Sequence, residues 1–209
     1  EIHYGGQAYL TGTMPELIRD DVVGLAKIGV LIMTIILLVN LRSIAGVAMV
    51  LMLIGLSLVA MIGVMGWVYH LTGSDRFLFT LANTSMPIIL LTIANSDGVH
   101  VISKFFKELR LKQDSRKALA STMDSLLIPI FLTSITTIAA FATMMVSPIE
   151  PLFGYGIIIG AGIAWAWFLS CLLLPAVISL KKWDNESIAI SRASIFENII
   201  KKLGKVVLT

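Results

Sequence analysis

The chain has 209 residues, of which 57% are hydrophobic and only 14% are charged, and its mean hydropathy is +0.91. Soluble globular domains carry about 25% charged residues, so this composition excludes an ordinary soluble domain. The net charge of +3 would suit a nucleic-acid partner, but the basic residues lie beside apolar segments and indicate membrane orientation instead. A lone cysteine, Cys171, cannot form an intrachain disulfide.

Five apolar segments long enough to cross a bilayer follow one another, at about 24–41, 44–68, 82–103, 125–147 and 152–180. We interpret all five as helices, because a helix satisfies its own backbone hydrogen bonds in lipid. The predicted fold class is therefore an all-α polytopic membrane protein, with a five-helix transmembrane domain over 24–180. Residues 1–23 are interpreted as the end of an extracytoplasmic domain, and 181–209 as a cytoplasmic tail leading toward a further helix.

Three prolines lie in or near the ends of these segments, namely Pro87, Pro129 and Pro175. A proline within a helix removes one backbone donor and crowds the carbonyl four residues earlier. Membrane helices tolerate this where neighbouring groups cover the freed carbonyl. We therefore expect a kink near each proline.

The distribution of basic residues predicts the orientation of the chain in the membrane. With the N-terminal end outside, all of the sixteen Lys and Arg except Arg19, Lys27 and Arg76 fall on the inner side. Most of them lie next to segment ends, where the positive-inside rule applies. We expect a multi-pass protein of the bacterial cytoplasmic membrane, with its N-terminal end extracytoplasmic and its C-terminal end cytoplasmic.

Segment 104–123, KFFKELRLKQDSRKALASTM, is too charged to cross a membrane. Its apolar residues can form a strip on a helix that lies at the cytoplasmic surface, and they are Phe105, Phe106, Leu109, Leu119 and Met123. A solvated connector helix is an equal alternative. Both interpretations predict one helix between the third and fourth spans.

Asp97 is the one acidic residue well inside a predicted span. A charge at this depth costs about 3 kcal/mol on insertion scales, so such a residue usually faces a bundle interior and serves transport or proton relay. The alternative is a static ion pair or a carboxylate in a wet cleft. We favour a proton-carrying role for Asp97.

Polar side chains near Asp97 extend this hypothesis. Ser96 and His100 lie on or next to the same face of the helix, and His100 is suited to passing protons because imidazole titrates near neutrality. A comparable stripe on 125–147 contains Thr133, Thr136, Thr137 and Ser147, with Ser134 nearby. Hydroxyls in membrane helices often bond their own backbone or join helices, and a lone His near a helix end often faces headgroups. The predicted relay comprises Asp97, His100, Ser96, Thr133, Thr136 and Thr137.

Small residues predict close helix packing in the last span. Gly156, Gly160 and Ala164 are spaced by four, as are Gly162 and Ala166. The sequence contains no metal-ligand cluster, no phosphate-binding glycine loop and no nucleophile–base arrangement. We therefore expect no cofactor, no metal and no enzymatic activity.

Several motifs resemble the resistance–nodulation–division (RND) superfamily, particularly its lipid-exporter (MMPL-like) and sterol-sensing-like branches. The run NSDGVHVISKFFKE is similar to the fourth-helix motif of that superfamily, with Asp97 followed three residues later by His100. The later part of the chain is similar to the fifth and sixth helices of that superfamily, at Thr136–Thr137, Phe141, Pro148–Phe153–Gly154 and Leu174–Pro175–Ala176. Leu41–Arg42–Ser43 resembles the turn between its second and third helices. The resemblance covers 11–180 and implies helices two to six of one half-repeat.

The resemblance implies a secondary transporter driven by the proton gradient that exports hydrophobic or amphipathic substrates such as lipids. The alternatives are a lipid- or sterol-binding sensor module of the same fold and an accessory component of protein secretion. Expected partners are protons, a lipid-like substrate, membrane lipids, and a second half or further copies of the transporter, without nucleic acid. Gly98 stands where the family commonly carries an aromatic residue, and we expect it to allow close approach of another helix.

Overall fold

The computed structural model describes residues 7–74, 85–181 and 183 of the chain, and side chains from residue 20 onward except at 22, 150 and 151. The predicted tail beyond 183 and the start of the third predicted span at 82–84 lie outside these residues. Within the described residues every regular element is helical. The helices are α1 (Gln7–Leu41), α2 (Ile44–Thr72), α3 (Met86–Lys112), α4 (Ser115–Ala142), α5 (Glu150–Phe168) and α6 (Leu174–Leu180).

Five stretches of these helices are long and apolar enough to cross a membrane. They are Val23–Leu41, Ile44–Thr72, Met86–Lys112, Ser115–Val146 and Leu152–Leu180. The last of them contains nearly all of α5 and the whole of α6. A π-helical turn at Leu169–Leu173 joins these two into one continuous helix. The predicted all-α fold with five membrane-crossing helices is confirmed.

Local sequence signals set the boundaries of the helices. The Ser43 hydroxyl accepts a hydrogen bond from the Gly46 N–H at the start of α2, and Gly73 ends that helix in the left-handed conformation. Pro87 occupies the first turn of α3, where its missing N–H leaves no helical bond unmade. Ordinary capping residues therefore mark the start and end of α2 and the start of α3.

Helix α3 lies at the centre of the bundle and packs against α2, α4 and α5. Fully buried α3 residues include Leu90, Ala94, Val101, Ile102 and Phe105. Helix α1 is peripheral, and its exposed apolar side chains include Leu25, Leu31 and Ile36, as expected of a surface that faces lipid or another helix. The central position of α3 places Asp97 inside the bundle.

The prediction of one helix over 104–123 is wrong. Helix α3 continues to Lys112, Gln113 adopts a positive φ of 52°, and the Asp114 carboxylate caps the first turn of α4 by accepting from the Arg116 and Lys117 N–H groups. The segment is a helical hairpin, because this left-handed residue and this cap stop one helix and start the next.

The predicted surface strip is also wrong. Phe105, Phe106 and Leu109 are buried, and Leu119 and Met123 pack partly buried against the core. Trp183 folds back onto this end of α3, with its ring centroid 5.3 Å from that of Phe105 and 5.4 Å from that of Phe106. The aromatic residues therefore join the end of α3 to the chain that follows α6.

Candidate functional site: an unpartnered carboxylate beside a hydroxyl-lined cleft

Asp97 is 7% exposed, and its Oδ2 atom has no hydrogen-bond partner among the residues that the structure describes. Within the same residues, no salt bridge involves its carboxylate. The neighbouring Gly98 faces α2, where an added Cβ would lie 3.4 Å from the Val50 side chain. Gly98 is buried at the contact between α3 and α2, and an added Cβ would make an ordinary contact there, so the expected close approach at Gly98 stays a prediction.

A cleft of about 450 Å³ lies between α3 and α4 beside Asp97. Its polar lining consists of Thr92, Ser96, Asp97, His100, Thr133, Ser134 and Thr137. Its apolar lining consists of Ile93, Leu126, Pro129 and Ile130. The two helices thus bring one carboxylate, one imidazole and five hydroxyls to a single concave surface.

Five of the six predicted relay residues line this cleft, and Thr136 does not. The Thr136 hydroxyl is exposed and donates to the Leu132 carbonyl at 2.8 Å. Ser147, from the same predicted stripe, lies beyond the end of α4 and accepts from the Ile149 N–H. The α4 stripe is therefore shorter than the sequence indicated.

The cleft hydroxyls differ in their hydrogen bonds. Three threonine hydroxyls donate to backbone carbonyls of their own helix: Thr92 to Ile88 at 2.9 Å, Thr133 to Ile130 at 2.9 Å and Thr137 to Thr133 at 2.6 Å. Because the proton of each hydroxyl is used within the helix, its oxygen can only accept hydrogen bonds from the cleft. Ser134 is 4% exposed, and its Oγ has no partner within the described part of the chain.

Ser134, predicted as a neighbour of the α4 stripe, and Thr92 also line the cleft, although neither belongs to the predicted relay. Their helical spacing from the predicted residues is the signal that identifies them. The apolar wall around Pro129 had no such signal, because apolar residues are common throughout both helices.

The second acidic group of α3, Glu108, lies near the hairpin and is fully partnered. Its Oε2 accepts from the Ser121 hydroxyl of α4 at 3.1 Å, and its oxygens lie 3.4 Å from the Lys104 Nζ and 3.6 Å from the Lys112 Nζ. These contacts tie α3 to α4 at one end of the cleft. Glu108 therefore serves the bundle's structure.

The predicted packing glycines lie where α5 meets α4, but they are not equivalent. An added Cβ at Gly156 would lie 2.5 Å from the Phe141 carbonyl oxygen, whereas at Gly160 it would make an ordinary 3.7 Å contact with Ile138. An added Cβ at Gly162 would lie 3.1 Å from a methyl carbon of Leu90 in α3, which is a tight contact. Ala164 is exposed and does not extend the contact.

Comparison with known proteins identifies the family. The MMPL family profile matches residues 1–198. The chain belongs to the MMPL family. This confirms the resemblance to the RND superfamily and its lipid-exporter branch. An MMPL relative, the hopanoid transporter HpnN of Rhodopseudomonas palustris (strain TIE-1), is 23% identical over 188 residues, which cover 86% of this chain and 21% of the relative. The chain therefore spans about a fifth of the length of the curated relative it matches.

Proposed function

We propose that this chain is part of a proton-driven transporter that exports hydrophobic or amphipathic, lipid-like molecules, and that Asp97 carries the proton. One observation carries the mechanism: the buried Asp97 carboxylate opens onto a cleft lined by hydroxyls and an imidazole, and its Oδ2 has no hydrogen-bond partner among the residues that the structure describes. Structural carboxylates in a bilayer are usually paired, so an unpaired one is a candidate for a transport role.

Protonation of Asp97 removes a charge from the bundle interior. The neutral form tolerates a drier and closer packing of α3 and α4 than the ionised form does. Two packings that differ in proton affinity are the minimum that coupling requires, because a ligand shifts an equilibrium only by its differential affinity. Each proton that crosses the membrane supplies about 2.3 kcal/mol per 100 mV.

The cleft residues have distinct proposed roles. His100 lies one turn beyond Asp97 and passes protons between the carboxyl and the end of α3. Ser96, Thr133, Ser134 and Thr137 hold water along the path. Thr133 and Thr137 bond their own helix and can still accept hydrogen bonds from water, and the Ser134 hydroxyl has no partner among the described residues. Thr136 has no role in this proposal.

The substrate class rests on the family and on the printed name of the relative, which is a hopanoid transporter. The printed name of this relative is that of a transporter, which agrees with the expectation that the chain is not an enzyme. We propose the bacterial cytoplasmic membrane as its location, with the N-terminal end extracytoplasmic, and protons, membrane lipids and a second half or further copies as its partners.

The test uses Asp97→Asn in the full-length protein, reconstituted in vesicles with an imposed pH gradient. Asparagine keeps the shape of the side chain and loses the titratable group, so we expect folding and insertion to persist and proton-dependent export of a fluorescent lipid to cease. Asp124→Asn, the same change at an exposed position of α4, is the matched control and should transport normally.

His100→Ala should slow export without abolishing it. Wild-type export by Asp97→Asn would contradict the proposed proton carrier. The sensor alternative would be favoured by a different result. In that case the wild type and Asp97→Asn would both bind lipid independently of the pH gradient, and neither would export it.

A further inference from the structure

A π-helical turn interrupts the last membrane-crossing helix at Leu169–Leu173. There the Leu174 N–H bonds to the Leu169 carbonyl, five residues earlier instead of four. Pro175 follows immediately, and because proline has no N–H, a carbonyl about one turn before it, near Ser170, lacks its helical donor. Such turns are rare in proteins and frequently lie at functional sites.

Ser170, in this turn, departs from the usual behaviour of buried hydroxyls. Ser57 and Thr122 are also 0% exposed, and each donates at 2.8 Å to the carbonyl four residues earlier in its own helix. Ser170 is equally buried, yet its Oγ has no hydrogen-bond partner among the described residues. A buried hydroxyl without a partner is costly, so a partner is expected.

The register between α3 and α5–α6 places Ser170 near the depth of Asp97. The two helices run in the same direction, as three contacts show: Ser85 with Tyr155, Leu90 with Gly162, and Phe105 with Trp183. Ser85 precedes α3 and Trp183 lies beyond α6, so the register is taken from the Leu90–Gly162 contact. Asp97 is seven residues beyond Leu90, and Ser170 is eight beyond Gly162. At 1.5 Å per residue the two positions differ in height by about 2 Å.

A second observation supports this placement. The π turn packs directly against α3. The cleft with Ser134 and His100 lies on the α4 side of Asp97, so Ser170 approaches from a different helix.

We propose that the Ser170 hydroxyl holds the Asp97 carboxyl through one buried water from the α5–α6 side, in addition to the groups that α4 supplies. Asp97 Oδ2, Ser170 Oγ and the carbonyl freed by Pro175 give this water the three partners that buried waters typically have. Ser170 is thus a positioning residue for the proton-carrying group, and this inference rests on the proposed function.

The experiment compares Ser170→Ala with Ser57→Ala in the full-length protein. Both changes remove a fully buried hydroxyl, but Ser57 serves only its own helix. We expect Ser170→Ala to slow proton-driven export about three- to tenfold, the loss equivalent to one hydrogen bond, and Ser57→Ala to leave it unchanged. Ser170→Cys, with a weak S–H donor, should fall between Ser170→Ala and the wild type.

Infrared spectroscopy separates positioning from a general structural effect. The stretching band of the protonated Asp97 carbonyl is identified by its loss in Asp97→Asn, and it lies at lower frequency when the carbonyl is hydrogen-bonded. We expect Ser170→Ala to move this band to higher frequency and Ser57→Ala not to move it. If Ser170→Ala matches Ser57→Ala in both export and band position while Asp97→Asn is inactive, the role of Ser170 is wrong and the proposed function stands. Normal export by Asp97→Asn would instead overturn the proposed function.

Discussion

Helix α3 carries two buried carboxylates eleven residues apart, and their surroundings differ sharply. Glu108 has a hydroxyl from α4 and two lysines from its own helix, whereas Asp97 Oδ2 has no partner among the described residues. Burial alone therefore does not distinguish a structural acid from a functional one. The partners separate the two acids: contacts hold the charge of Glu108 in place, and the proposed proton-carrying role of Asp97 rests on its oxygen without such a contact.

The largest expected effect on stability concerns the packing of α5 against α4 at Gly156. In Gly156→Ala the new methyl group meets the Phe141 backbone carbonyl, which cannot move without shifting α4. We expect a loss of about 1–3 kcal/mol, typical of overpacking, measured as thermal unfolding in detergent.

Gly160→Ala is the matched control for this variant, since its methyl makes only an ordinary contact with Ile138. It should be neutral or slightly stabilising, because alanine favours the helix. Equal unfolding temperatures for the two variants would show that the contact of Gly156 with the Phe141 carbonyl is not tight.

A smaller effect on stability, with no effect on coupling, is expected from Glu108→Ala. The change removes the acceptor for the Ser121 hydroxyl and leaves Lys104 and Lys112 facing each other without a counter-charge. The unfolding temperature should fall further than in Asp124→Ala, where an exposed acid is lost. Export by the folded fraction should keep its dependence on the pH gradient, and loss of that dependence would remove the distinction between the two acids.

The smallest effect concerns Asp114, whose carboxylate caps α4 outside the membrane-crossing segments. Hydrogen bonds from the Lys117 and Arg116 N–H groups lower the pKa of Asp114 from its ordinary value. A lowered pKa in the folded state means that the cap stabilises the fold above about pH 4 and that this contribution is lost as the pH falls through the folded pKa.

The unfolding temperatures of the wild type and Asp114→Ala should therefore differ at neutral pH and converge in acid. Asp114→Asn, which retains a capping oxygen, should stay close to the wild type at neutral pH. A difference between wild type and Asp114→Ala that is the same at neutral and acid pH would contradict a stabilising role for the ionised cap.

The sequence by itself determined the membrane class, the five crossing helices and the isolation of Asp97 within an apolar segment. These follow from local composition, because the bilayer requires about 20 apolar residues per helix and tolerates few charges. It also indicated Ser96, His100, Thr133 and Thr137, since helical spacing alone brings them to the faces that line the cleft.

Only the tertiary structure decided which polar groups have partners. The hairpin at Gln113–Asp114 depends on two backbone conformations that charge patterning does not reveal, and it converted a predicted surface helix into buried contacts. Thr136 and Ser170 are both hydroxyls within predicted spans, yet Thr136 is exposed and bonded to its own helix, and Ser170 is buried without a partner among the described residues. The residue type is evident from the sequence, but the packing of neighbouring helices determines whether the hydroxyl is buried and whether its own helix satisfies its hydrogen bond.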